Sequence, residues 1–126
     1  MLALGTIVLA GLFSRPTATP TIPPVQTPGS NIAITTCYAQ LDPPPLRIAY
    51  SNTAKTAATE VDFAIVGDVR VIETVTDRGT FAPGKPIDKV FRLPIDVSPL
   101  SLHSVHCVVT KVLYDDGTKW TNPNPP

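Results

Sequence analysis

Residues Leu46–Val66, LRIAYSNTAKTAATEVDFAIV, decide the fold class. Leu46, Ile48 and Tyr50 alternate with Arg47, Ala49 and Ser51, and Val61, Phe63 and Ile65 alternate with Asp62, Ala64 and Val66. A side-chain period of two belongs to a strand with one face on a core. Between the runs, Asn52-Thr53-Ala54-Lys55-Thr56 is a polar turn, and Thr53–Glu60 offers one helical turn at most. Two alternating runs joined by a short polar turn predict antiparallel strands.

The same reading extends outward. Ile32, Ile34 and Tyr38 alternate with Ala33, Thr35 and Cys37, and the Asp42-Pro43-Pro44-Pro45 run breaks the chain. Beyond Gly67-Asp68, Val69, Val71 and Val75 continue with Arg70 on the other face, and Asp77-Arg78-Gly79 reads as a turn. Phe81–Pro86 is a loop with two proline stops, after which Ile87, Phe91, Leu93 and Ile95 alternate with Asp88, Arg92 and Asp96. In Ser104–Tyr114, SVHCVVTKVLY, Val105, Cys107 and Val109 fall on one parity, and Val108, Val112 and Tyr114 on the other. A strand apolar on both parities reads as mid-sheet. Asp115-Asp116-Gly117-Thr118 is a hairpin turn, with Gly117 suited to positive φ, and Lys119-Trp120-Thr121 closes. About seven strands at intervals near ten residues predict an all-β, antiparallel immunoglobulin-like β-sandwich over residues 32–121; a small closed barrel fits the same spacing.

The rest of the chain reads differently. Eight of the 15 prolines lie in the first 45 residues and three in the last four. Leu2–Phe13 is a 12-residue apolar run, shorter than the roughly 20 residues of a spanning helix and of the length of a signal-peptide core. Ser14, Thr17 and Ala18 supply small residues after it, but no Lys or Arg precedes it. Residues 1–14 are therefore read as a signal peptide or an N-terminal hydrophobic anchor. A cytosolic chain with a mistaken start is the remaining alternative. Residues 15–31, RPTATPTIPPVQTPGSN, read as a disordered, polyproline-like linker with little that packs. Residues 122–126, NPNPP, read as a terminal stop.

At 126 residues, with Lys+Arg and Asp+Glu both 10, the chain has one domain and no charge surplus to draw it to nucleic acid or an anionic membrane. A domain of such size is marginal without a brace. Cys37 and Cys107, the only cysteines, predict a disulfide, with two buried thiols as the alternative.

Catalytic and metal signatures are weak. His103 and His106 differ in strand parity, and Cys107 is the only further local ligand type, which is short of a metal set. Ser101 and Ser104 lack a nucleophile-elbow context. Asp115-Asp116-Gly117 lacks the spaced ligands of a calcium loop, and no phosphate or dinucleotide motif occurs. The aromatics, 6%, are not interleaved with Arg or Lys as nucleic-acid stacking requires. Trp120 either caps the sandwich or contacts a ligand.

The order Ile48-x-Tyr50-x-Asn52-Thr53, Ala58-Thr59-Glu60-Val61-x-Phe63, Asp77-x-Gly79-x-Phe81-x-Pro83-Gly84 resembles exported bacterial immunoglobulin-like domains of the FxLYD kind, over about half the chain. The resemblance implies a small extracytoplasmic module without catalysis. The expectation is a non-catalytic extracytoplasmic binding or structural module without cofactor. It faces a protein or cell-envelope partner, touches membrane only through an N-terminal anchor, and presents the loops Thr53–Thr59, Thr80–Pro86 and Pro99–His103 or a sheet edge. The alternative from another class is a small secreted hydrolase or an enzyme inhibitor. A pocket holding His103 or His106 beside a carboxylate would favour the first, and a rigid loop at Ala82–Pro86 the second.

Overall fold

The computed structural model describes residues 24–39, 45–67, 70–93 and 105–126. They form seven strands: β1 (Ile32–Ala39), β2 (Pro45–Asn52), β3 (Ala58–Val66), β4 (Val71–Phe81), β5 (Pro86–Arg92), β6 (His106–Tyr114) and β7 (Lys119–Thr121). Every paired neighbour is antiparallel, in a three-stranded sheet β1-β2-β5 and a four-stranded sheet β4-β3-β6-β7. Leu46, Ile48 and Tyr50 from the first sheet and Val61, Phe63 and Ile65 from the second are 0–1% exposed and share one core. The two alternating runs thus face each other across a β-sandwich. Tyr50 sits edge-on to Phe63 and Phe81, with ring centroids 5.2 and 5.9 Å apart, contacts worth about 0.5–1.5 kcal/mol each beyond the area they bury.

Of four register irregularities, three carry a threonine; the fourth lies between Ile65 and Val66 opposite β4. In β1 the register slips by one residue between Ile34 and Thr36. Uninterrupted alternation would put Tyr38 with Ile32 and Ile34; the bulge instead turns Cys37 toward the core and leaves Tyr38 41% exposed. In β6 a bulge opposite Asp62/Phe63 brings Cys107, Val109 and Val112 onto the same buried face. The two apolar parities of β6 therefore reflect a bulge rather than burial on both faces, although β6 does lie mid-sheet. The third slip lies between Ala58 and Glu60. Thr35 donates its hydroxyl to the Ala49 carbonyl (3.1 Å), Thr110 to Asp62 (3.2 Å) and Thr59 to Leu113 (3.4 Å), each a cross-strand acceptor beside the broken ladder.

The turn expected at Asp77-Arg78-Gly79 does not form; β4 runs through it to Phe81. Asp77 is buried, accepting from the Tyr50 hydroxyl at 2.8 Å with the Lys89 ammonium 3.5 Å away. Arg78 pairs with Glu60 on β3 at 2.9 Å. Cross-strand partners thus outweigh local turn preference. The chain reverses instead at Pro83-Gly84, where Gly84 has φ 79° and its N–H donates to the Asn52 carbonyl.

The linker reading through Asn31 ends early, because Pro24–Asn31 docks on the sandwich. Gln26 exchanges two side-chain hydrogen bonds with the Ile34 backbone on the free edge of β1, at 2.7 and 2.8 Å. Thr27 Oγ1 accepts from the Val109 N–H at 2.9 Å, and Ser30 is 1% exposed. Gly29, with φ 83°, lies against the Trp120 indole. Asn122 extends the pairing of β7, its backbone and side-chain amides donating to Thr110 and Val109. Polar side chains thereby satisfy edge groups that short β7 leaves open. The leader, residues 15–23, Val69, Ile95, Ser101, His103 and Ser104 lie outside the described residues.

Candidate functional site

The residues that sequence reading singled out separate into two places. Cys37 and Cys107 form a disulfide between the two sheets, with Cα atoms 6.0 Å apart and a sequence separation of 70. Such a loop stabilises by roughly 4 kcal/mol in the chain-entropy account. It sits on the side of the sandwich that Pro24–Asn31 also closes.

The residues behind the family resemblance gather at one corner and hold the fold. Asn52, 0% exposed, donates to the Thr56 carbonyl at 2.8 Å and the Phe81 carbonyl at 3.0 Å, and accepts from the Ala54 N–H at 2.9 Å. Its backbone bridges Pro83. One amide therefore ties the β2–β3 turn to the β4–β5 turn, over the Tyr50–Phe63–Phe81 rings. These hydrogen bonds join the two turns to each other.

The polar candidates are likewise structural. Asp116 accepts from the Thr118 hydroxyl and N–H at 2.6 and 2.9 Å, bonds that hold its carboxyl below the usual range and close the hairpin at Gly117 (φ 87°). His106 pairs with Val66, half-buried on the face turned away from Cys107. Trp120 packs on the core as a cap. On the outer face of the four-stranded sheet, Lys111 lies 3.1 Å from Glu60 and 3.4 Å from Asp62. The Lys111 hydrogen bond holds the Glu60 carboxyl down, whereas burial and then the neighbouring Glu60 push Asp62 up. Among the described residues, no group of three or more His, Cys, Asp or Glu is placed to hold a metal ion.

The second place was not anticipated. On the outer face of the three-stranded sheet, register aligns Tyr38, Arg47 and Val90 in one row across β1, β2 and β5. Val90 is 66% exposed, and with Tyr38 and Val25 it makes up the exposed large apolar side chains of the described residues. Between them Arg47 clasps Asp88 through Nε and Nη2, at 3.0 and 2.5 Å. Asp88 first, and Tyr38 after it, raise the guanidinium pKa, and Arg47 in turn holds the Asp88 carboxyl below its usual range. Pro45 completes a shallow, open depression of about 420 Å³. Neighbouring outward positions Ala33, Thr36, Ala49 and Ser51 are small, which keeps the face flat.

In this open depression two apolar side chains flank a planar, bidentate ion pair. Arg and Tyr are the residue types over-represented at interface anchors. Its signal in sequence was masked because the Thr35 bulge inverts the parity of Tyr38. The expected loops fare unevenly: Thr53–Thr59 is pinned by Asn52, Thr80–Pro86 is mostly exposed, and Pro99–His103 lies outside the described residues. Compared with family models, curated proteins and solved structures, the chain matches none.

Proposed function

We propose that this chain is an exported, non-catalytic binding module of immunoglobulin-like class, and that it meets a protein partner through the outer face of its three-stranded sheet. The exposed Tyr38–Arg47–Val90 row is the observation that carries the reading. Exposed aromatic and aliphatic groups around a preorganised guanidinium cost little side-chain entropy to bury, because the clasp on Asp88 already fixes Arg47. Export is supported by the bridge between Cys37 and Cys107, which suits an oxidising compartment. The immunoglobulin-like class is supported by two antiparallel sheets in seven strands, with strand four paired to strand three. The inter-sheet bridge joins strands one and six here, rather than two and six as in antibody domains.

A photoreactive residue placed at Val90, at Lys85 and at Thr76 in the native host tests the surface. Adducts from position 90 with none from position 76, on the opposite sheet, support the face. Adducts confined to position 85 favour the inhibitor reading, for which the exposed turn Ala82–Pro86, pinned through Gly84 and Pro83 to Asn52, is the supporting observation. Intact mass tests export: the protein from its host should lack the leader read in residues 1–14 and take up thiol label only after reduction. A full-length mass with two free thiols would sink that part.

A further inference from the structure

Resting on the reading of this face as a binding surface, we infer that its occupant is a second copy of the chain, packed sheet on sheet about a two-fold axis. A two-fold contact presents the same patch from both sides, so the patch must complement itself. A surface of one charge sign fails that condition. This one satisfies it, because Arg47 and Asp88 stand side by side on the same face, with Val90 and Tyr38 beside them.

The ion pair retains the valence for such a contact. Arg47 uses Nε and Nη2 on its own Asp88, which leaves donors of the five-donor guanidinium unused, and a carboxylate has about four acceptor positions. An axis passing between Arg47 and Asp88 lays each guanidinium against the second copy's Asp88, closing a ring of alternating charge. Small side chains at Ala33, Thr36, Ala49 and Ser51 allow the close approach that two stacked sheets need, about 10 Å between backbones. A formal net charge of zero, with 10 residues of each sign, puts no long-range repulsion between copies.

Sedimentation equilibrium of the protein recovered from its host, across a micromolar dilution series, reads the association directly. The wild type should show a concentration-dependent monomer–dimer equilibrium. Val90→Asp, Arg47→Glu and Asp88→Arg should each raise the dissociation constant at least about tenfold, with thermal unfolding close to wild type because all three positions are exposed. The discriminating sample is an equimolar mixture of Arg47→Glu and Asp88→Arg chains. Each variant opposes like charges in its own dimer, whereas the mixture restores both cross-pairs and should dimerise as a heterodimer. A wild type that stays monomeric, a dimer indifferent to these reversals, or a mixture that fails to recover overturns self-association. A monomeric wild type whose position 90 still crosslinks another protein refutes only the second copy; neither dimer nor adduct refutes the surface as well.

Discussion

Replacing Asn52 by alanine removes three hydrogen bonds from one buried amide. It strands the Phe81 carbonyl in the core, and the Thr56 carbonyl and Ala54 N–H in partly buried positions. An unsatisfied buried group costs about 1–3 kcal/mol, so full cost at Phe81 and partial cost at the other two sum to about 3 kcal/mol, a large share of the 5–15 kcal/mol that holds a domain. Urea unfolding followed by Trp120 fluorescence measures it as a lower midpoint at unchanged slope. Asn52→Asp is the sharper probe, being nearly isosteric. It keeps the acceptor for Ala54 N–H but aims a carboxylate oxygen at two carbonyl oxygens. The folded state then favours the protonated acid, raising its pKa above the unfolded value near 3.9. Between those two values the native state binds a proton that the unfolded state has released, so stability falls as pH rises through that window and levels off above it. The alanine variant has no such dependence. An alanine cost below about 1 kcal/mol, less than one stranded buried group, or an aspartate penalty flat in pH, would refute the claim that Asn52 joins the two turns.

Converting Cys37 and Cys107 together to alanine should cost roughly 4 kcal/mol, seen as a lower urea midpoint; an unchanged midpoint would mean that Gln26 and Thr27 already close that side unaided. Glu60→Gln and Asp62→Asn should act in opposite directions at neutral pH. Glu60 is held down by Lys111, so its contribution is present above its unfolded pKa and lost as pH falls through its lower folded value. Asp62 is pushed up by burial, so its ionisation opposes folding once pH exceeds the folded value, and the asparagine should raise the melting temperature. Deleting Thr35 removes the extra residue of β1 and restores strict alternation. Ile34 is then followed directly by Thr36, so Cys37 still points inward and Tyr38 outward, and thiol titration of the denatured protein should find no free thiol, as in the wild type.

How much of this was legible follows one physical rule. Alternation read correctly wherever the ladder is unbroken: Leu46, Ile48 and Tyr50 face the core, as do Ile87 and Phe91 on β5 and Leu93 just beyond it. It failed past the Thr35 and Thr110 bulges, because a single extra residue reverses the parity of everything beyond it. Nothing in the residues flags the break. Thr35, Thr59 and Thr110 are ordinary strand formers by propensity, and their bulge role appears only once a cross-strand carbonyl stands opposite. Asp77-Arg78-Gly79 misled for the converse reason: its turn chemistry is genuine, but Tyr50, Lys89 and Glu60 arrive from 12 or more positions away in sequence and recruit it into β4. Pro24–Asn31 read as a spacer because its packing is entirely polar, through Gln26, Thr27 and Ser30, which a hydrophobicity pattern does not register.

The Thr35 bulge also links the two features that matter most to function. One extra residue in β1 carries Cys37 across to Cys107 and, in the same stroke, swings its neighbour Tyr38 out beside Arg47. Adjacent strand residues always point to opposite faces, so the cysteine that braces the core and the tyrosine that offers a contact are coupled by geometry. Were Thr35 paired in the ladder instead of bulged, the chain would lose the brace and bury the anchor together. The outer face then owes its rigidity to what lies behind it. β1 is held at one end by Gln26 on Ile34 and at the other by the bridge, which keeps Tyr38 in register with Arg47 and Val90. On the proposed reading, a surface so backed binds with little ordering to do, and its affinity is expected to track the oxidation state of Cys37 and Cys107.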